Sequence, residues 1–153
     1  AFYRIDSTQE IRSVAPGVYE NFGATERRGW EASLAWAPRD ELRASLVWAR
    51  SDAEVTANAN AALLGRAVAG VPRHVATLAL DWTPPLGLGG GLALREVGRY
   101  AVNPANTLFY DGFRTLDAAL FYTGRVGATR YRATLRIDNA LDEVHATSVS
   151  VIG

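Results

Sequence analysis

Cysteine, methionine and lysine are all absent from the 153 residues, and histidine occurs only twice. Without cysteine, neither a disulfide scaffold nor a thiolate metal site can form. His74 and His145 stand far apart, and His74 has no second His or clustered carboxylate near it in sequence. That leaves no metal pattern, and no cofactor is expected. No stretch approaches the ~18 apolar residues that a transmembrane helix needs. Charge of one sign is not in excess either, with 16 basic and 16 acidic groups. The basic face of a nucleic-acid binder is therefore missing, and no nucleic acid partner is expected. All the basic residues are Arg, which points to GC-rich coding more than to function. The length suits one domain or part of a larger one. With no Met, and with Ala1-Phe2-Tyr3 already reading as strand with no signal peptide before it, the chain is expected to be a piece of a longer protein.

What the sequence does have is alternation. Helix-period stripes are absent, while apolar and polar residues exchange with a period of two. Trp30, Ala32, Leu34 and Trp36 share one face, opposite Glu31, Ser33 and Ala35. Leu42, Ala44, Leu46 and Trp48 repeat the pattern, as do Ala76, Leu78, Leu80 and Trp82. Leu116, Ala118, Leu120 and Tyr122 follow, and then Tyr131, Ala133, Leu135 and Ile137. A weaker strand runs from about Leu88 to Tyr100, its alternation slipping near Glu96 as at a bulge. Another opens the chain, up to about Val14. These make seven strands of an all-β, antiparallel up-and-down meander.

The connections alternate in length. Pro38 to Glu41, Pro84 to Gly87 and Gly124 to Gly127 read as tight turns. Asp52 to Val71 and Ala101 to Gly112 are long, and Asn60 to Leu64 within the first reads as irregular loop in preference to a helical turn. Short turns at one end and long loops at the other describe a transmembrane β-barrel. Trp36, Trp82 and Tyr122 each close an apolar face just before a short turn, where a membrane-interface aromatic belt belongs. Charge returns to the same faces at Glu26, Arg28 and Arg50, where strands would rise above the lipid. Pattern alone does not fix which face points inward, because a one-residue shift exchanges them. A soluble sandwich or lipocalin-like barrel with the apolar face inside shares the same period.

Five segments carry a family resemblance. Asn21 to Glu31 resembles an "N-x-G-x-x-x-x-x-G-x-E" strand of TonB-dependent outer-membrane receptors. Gly65 to His74 is similar to their "G-x-x-x-x-x-x-P-x-H" strand start, and Val97 to Tyr100 to their "vGxxY" strand top. Phe113 to Asp117 resembles "gyxxlD". Ile137 to His145 resembles "vxNLfDxxY", with Ala140, Leu141 and His145 in place of Leu, Phe and Tyr. The five stand in the family's order and cover nearly all of the chain. The resemblance implies a fragment of a 22-stranded transmembrane β-barrel, residues 1–153 forming a partial barrel domain without the plug domain and the final strand. The chain stops at Val151-Ile152-Gly153, without the aromatic residue that usually ends that strand.

The motif residues have physical roles of their own. Gly29 in mid-strand permits either close backbone approach or simple lumen packing. Asn139 and Asp142 are expected to cap a turn at the strand's extracellular end. Asp117 and Asp138, on lumen-facing positions among Arg residues, are expected in salt-bridge ladders and not in acid–base chemistry. No enzyme is expected.

By the resemblance, the function is TonB-energised uptake of a scarce ligand across the bacterial outer membrane, a ferric siderophore above all. The implied partners are outer-membrane lipid, a small-molecule ligand, and the TonB-ExbB-ExbD complex acting through the plug. Arg27 and Arg99 would attract an anionic ligand, while Phe109 and Tyr110 would stack on an aromatic one; ordinary solvated loop and lumen surface is the competing role for all four. A passive porin-like or adhesin-type barrel, and a soluble all-β ligand-binding domain, are the alternatives.

Overall fold

The computed structural model describes residues 1–15, 17–146 and 149; the chain end Val151-Ile152-Gly153 lies outside the described residues. Strands β1 (Phe2–Ala15), β2 (Val18–Arg39), β3 (Leu42–Ala57), β4 (His74–Trp82) and β5 (Gly87–Val97) are followed by two short ones, β6 (Tyr100–Ala101) and β7 (Phe109–Tyr110). Strands β8 (Phe113–Val126) and β9 (Thr129–Ile137) complete the set. A seven-stranded sheet has the order β1-β2-β3-β4-β5-β8-β9, and β6 and β7 pair apart from it. All neighbours are antiparallel.

The register explains the composition of the apolar face. Leu34 pairs with Leu46, Leu46 with Leu78, Leu78 with Leu94, and Leu94 with Leu116, so five leucines cross five strands in one row. Among the described residues no second layer covers them: Leu34 is 64% and Leu78 50% exposed. The chain exposes 10615 Å², against about 7,500 Å² for a folded soluble monomer of this mass. A sandwich would bury this face against a second layer, and the described residues supply none. The buried cluster that does exist, Phe22, Val55 and Val68, sits at the loop end.

The aromatic residues also report the tilt. Trp36 shares a row with Ala44 and Leu80; Trp82 lies two residues lower, Tyr122 two lower again, and Tyr131 two lower still. That is six residues over five steps between strands. With ~3.4 Å per residue and ~4.8 Å between strands, the line falls at about 40° to the hydrogen-bonding direction. A closed membrane barrel requires a strand tilt of ~35–45°. Above the line, Arg28, Arg50, His74, Glu96 and Arg114 each stand eight residues up their strand from Trp36, Leu42, Trp82, Leu88 and Tyr122. At that tilt the charge-free band is ~21 Å tall, close to the ~25 Å apolar band of outer-membrane barrels. Trp30 and Trp48 stack edge-to-face at 4.9 Å near the upper limit.

Four details differ from the sequence reading. First, β3 runs on to Ala57, so the long loop begins at Asn58 and not at Asp52. Second, no bulge lies at Glu96: β5 keeps register with β4 and β8 through this residue. The alternation breaks there because Glu96 stands above the apolar rows, where it meets Arg114 at 2.9 Å and His74 at 3.3 Å. Third, Ala61–Leu63 forms a 3-10 turn, with the Asn60 side chain accepting from Ala62 N at 3.1 Å. Fourth, the last hairpin is tighter than expected: strand pairing runs to Val126 and Thr129, leaving Gly127 and Ala128 as the turn. Gly29 resolves toward close approach, since a Cβ there would overlap the Arg50 carbonyl oxygen and press on the Tyr3 ring.

Candidate functional site: the loop end of the polar face

Two long connections rise from the upper ends of β3 and β5, residues 58–73 and 98–112. They are held as one body by backbone and side-chain bonds. Asn106, at φ 55°, presents its amide to a single residue: its Oδ1 accepts from Ala67 N at 2.8 Å and its Nδ2 donates to Ala67 O at 2.9 Å. This imitates a strand pairing between loops. Gly70 N donates to Ala101 O at 2.8 Å beside it. The Asn58 amide donates to the Phe22 carbonyl, tying the first loop to β2.

Within the second connection, β6 and β7 form an arm. Asn103 Oδ1 accepts from Thr107 N at 3.0 Å and Leu108 N at 3.1 Å, closing its tip. Tyr100 lies opposite Tyr110, with ring centroids 5.3 Å apart. Burial pushes the Tyr100 phenol above its ordinary pKa, and the neighbouring Tyr110 adds to the shift. The Arg99 guanidinium sits 4.2 Å from the Phe109 ring centroid and 3.3 Å from Asp111. Arg99, Phe109 and Tyr110 are thus brought together on one arm, with Phe109 exposed. A cavity of about 250 Å³ opens beside them, lined by Val71, Arg73, Arg99, Tyr100 and Phe109.

Arg27 is placed elsewhere. It lies on the polar face of β2, bonded to Glu10 at 2.9 Å, Thr25 at 3.1 Å and Ser7 at 3.4 Å. Three strand steps separate β2 from β5, which carries the arm. Trp36, Trp82 and Tyr122 all lie on the apolar face toward the short turns, each about half exposed.

Other contributors carry weaker sequence signals. His145 stacks on Phe113 at 4.4 Å, so an imidazole fills a motif position where the family pattern has Tyr. Ala146 N donates to the Tyr110 hydroxyl at 3.0 Å, joining the segment after β9 to the arm. A second cavity of about 350 Å³ lies there, lined by Arg95, Val97, Tyr100, Phe113 and His145 among others. Asn139 closes this segment: its side chain bonds Glu143 N at 3.1 Å and Glu143 O at 3.0 Å, a structural turn as its motif position implies. Asp138 pairs with Arg136 at 2.6 Å. Asp117 accepts from Asn139 N at 2.8 Å and interacts with the same Arg136 through its charge, without a direct ion pair. The arrangement offers aromatic faces, guanidinium groups and a rigid loop frame, which suits binding.

Comparison with known proteins agrees with this geometry. The chain is 27% identical over 155 residues to the ferrichrome outer membrane transporter/phage receptor of Escherichia coli K12, covering 97% of this chain and 20% of that protein. Its fold matches the ferric preacinetobactin receptor of Acinetobacter baumannii with a TM-score of 0.76 at 20% identity, over 93% of this chain and 22% of that one. A siderophore receptor of the same organism matches with a TM-score of 0.74 at 22% identity, over 93% and 21%. At these identities the two structures speak for the fold alone. The chain spans about a fifth of the length of each of these relatives. Residues 1–140 match the family described as TonB dependent receptor-like, beta-barrel, a family of outer-membrane receptors and not of enzymes, and to that family this chain belongs.

Proposed function

We propose that residues 1–153 are a section of the barrel of an outer-membrane receptor that takes up a ferric siderophore by TonB-driven transport. In this reading the plug and the closing strand belong to other parts of the polypeptide. TonB, with ExbB and ExbD, delivers energy through that plug, and outer-membrane lipid surrounds the apolar face. The observation that carries the binding role is the latched pair of loops, which holds Arg99 against Phe109 on a rigid arm at the loop end of the lumen. Ferric siderophore complexes are often anionic and aromatic, and a stacked guanidinium meets both properties. A frame fixed by Asn106 also limits the ordering cost of binding.

The test is uptake of radiolabelled ferric siderophores by cells carrying the full-length gene, with and without TonB. Accumulation that needs both the receptor and TonB is the expected result. Ion conductance of the purified protein in lipid bilayers without TonB, together with TonB-independent uptake, would establish a passive barrel instead. Arg99→Gln and Phe109→Ala are expected to weaken binding while leaving barrel folding intact.

A further inference from the structure

The arm at the loop end repeats a feature of the strands beneath it. Val97 pairs with Phe113, and three residues further on Tyr100 pairs with Tyr110, so β6 and β7 continue the hairpin of β5 and β8 in the same register. Arg95 stands opposite Thr115, and its guanidinium lies 5.8 Å from the ring centroid of Phe113, two residues nearer the hairpin tip. In that register Arg99 falls opposite Asp111, and its guanidinium lies 4.2 Å from the ring centroid of Phe109, again two residues nearer the tip. The same diagonal pair of cation and ring thus occurs twice, in the geometry where long and aromatic side chains meet across strands. Four residues separate Arg95 from Arg99, so their backbones lie no more than ~14 Å apart.

Each pair opens on its own cavity, and the two cavities share Tyr100 as a wall. Arg73 joins Arg99 and Phe109 in the smaller, of about 250 Å³. His145 joins Arg95 and Phe113 in the larger, of about 350 Å³, its imidazole stacked on Phe113 with the planes 24° apart. Each volume is near the ~300 Å³ floor of ligand pockets, so each holds one group of a ligand, while the two together reach ordinary ligand size. Among the described residues no Asp or Glu lines either cavity. Arg73 and Arg95 have no carboxylate partner there, and Arg99 has only Asp111, whose side chain is almost fully exposed. Stacking uses the face of a guanidinium and leaves its in-plane N–H donors available. Each subsite therefore combines an aromatic surface with charged donors.

We propose that the two subsites take two anionic aryl groups of one ligand, so that the ferric complex carried by this receptor is of the catecholate class and not the neutral hydroxamate class. This rests on the receptor reading above. An iron-bound catecholate is a flat ring with negative oxygens along one edge. The ring stacks on the aromatic side chains, and the oxygens accept from the guanidinium groups. A ferric tris-hydroxamate has neither net charge nor a ring. Seated here, it would take three guanidinium groups out of water without supplying a counter-charge.

The test uses the purified full-length receptor, its folding verified by heat-modifiable migration, and two ferric chelates built on one tripodal amine, a tris-catecholamide and a tris-hydroxamate. Titration calorimetry is expected to show the catecholate binding about tenfold more tightly or better, the worth of one charge-assisted hydrogen bond. R73Q/R95Q keeps the Arg99 and Phe109 arm and is expected to shrink that preference by a similar factor. Phe113→Leu is expected to weaken the catecholate more than the hydroxamate. Equal affinities, a preference for the hydroxamate, or a preference untouched by R73Q/R95Q would overturn the proposal. Failure of both chelates to bind would overturn it as well. In each of these cases TonB-dependent uptake of any ferric siderophore by cells carrying the gene keeps the receptor reading standing. Absence of all such uptake ends both readings.

Discussion

Leu78 and Ala79 are neighbours on β4 that point to opposite faces, and they offer a direct test of which face meets lipid. Leu78 is the middle of the five-leucine row and lies four residues from both Trp82 below and His74 above, at the centre of the band. An Arg at the midplane of a lipid-facing strand costs about 2–4 kcal/mol. That corresponds to a loss of roughly 30- to 700-fold in the folding equilibrium constant. Ala79 shares its row with Ser45 and Ala93, whose small side chains leave space on the lumen wall. There Arg stays hydrated, and a surface-like change within about 0.5 kcal/mol is expected. The assay is urea titration of the full-length receptor in lipid vesicles, with folded barrel read from heat-modifiable migration on a gel. Leu78→Arg is expected to move the midpoint well below that of Ala79→Arg. Equal midpoints, or the reverse order, would refute the assignment of faces and the tilt derived from it.

Three further expectations follow from the packing. Gly29→Ala places a methyl against the Arg50 carbonyl and the Tyr3 ring, and overpacking of this kind costs about 1–3 kcal/mol in the same titration. Asn106→Ala removes both bonds to Ala67, so limited proteolysis is expected to cut residues 58–73 and 98–112 faster, while barrel migration stays unchanged. Arg27 and Glu10 are each about three-quarters buried, with 26% and 24% of their side-chain surface exposed. A double-mutant cycle between Arg27→Met and Glu10→Gln is expected to show a coupling of about 1 kcal/mol, and a coupling near zero would free Arg27 for a ligand role.

The legible part of this fold is the apolar band, the part that the receptor reading sets against lipid. Between Leu42 and Trp48, or between Ala76 and Trp82, hydrocarbon demands an apolar residue at every second position, and the period of two is clean. Above Arg28 and Arg50 neither face meets lipid, so the demand lapses. There β2 carries Thr25, Glu26, Arg27 and Arg28 in succession, and on β3 the apolar residues change parity, from Leu46 and Trp48 to Ala53 and Val55, with Val55 packed against Phe22 and Val68. This is why the upper half of β3 reads as loop. The Glu96 slip has the same origin, because a charge replaces an aliphatic residue at the edge of the band and imitates a change of register. The loop site was only partly legible. Asn103-Pro104 marks a turn, but the pairing of Tyr100 with Tyr110 and the latch from Asn106 to Ala67 depend on backbone geometry with no periodic trace. Glu10, the partner of Arg27, falls next to an irregular step in β1, where Gln9 takes a φ of 55°, so simple counting along that strand does not find it.

The steady descent of the aromatic line has a consequence for how such a wall is built. Each strand shifts the line by about one residue relative to its neighbour, so a hairpin is a unit that brings its own two residues of stagger. Duplicating or removing a whole hairpin changes strand number and shear together and leaves the ring of aromatics level. Inserting a single residue within the band does neither, and tears the ring at one strand. A sheet of this kind therefore evolves its circumference in steps of two strands, while its height stays fixed by the membrane.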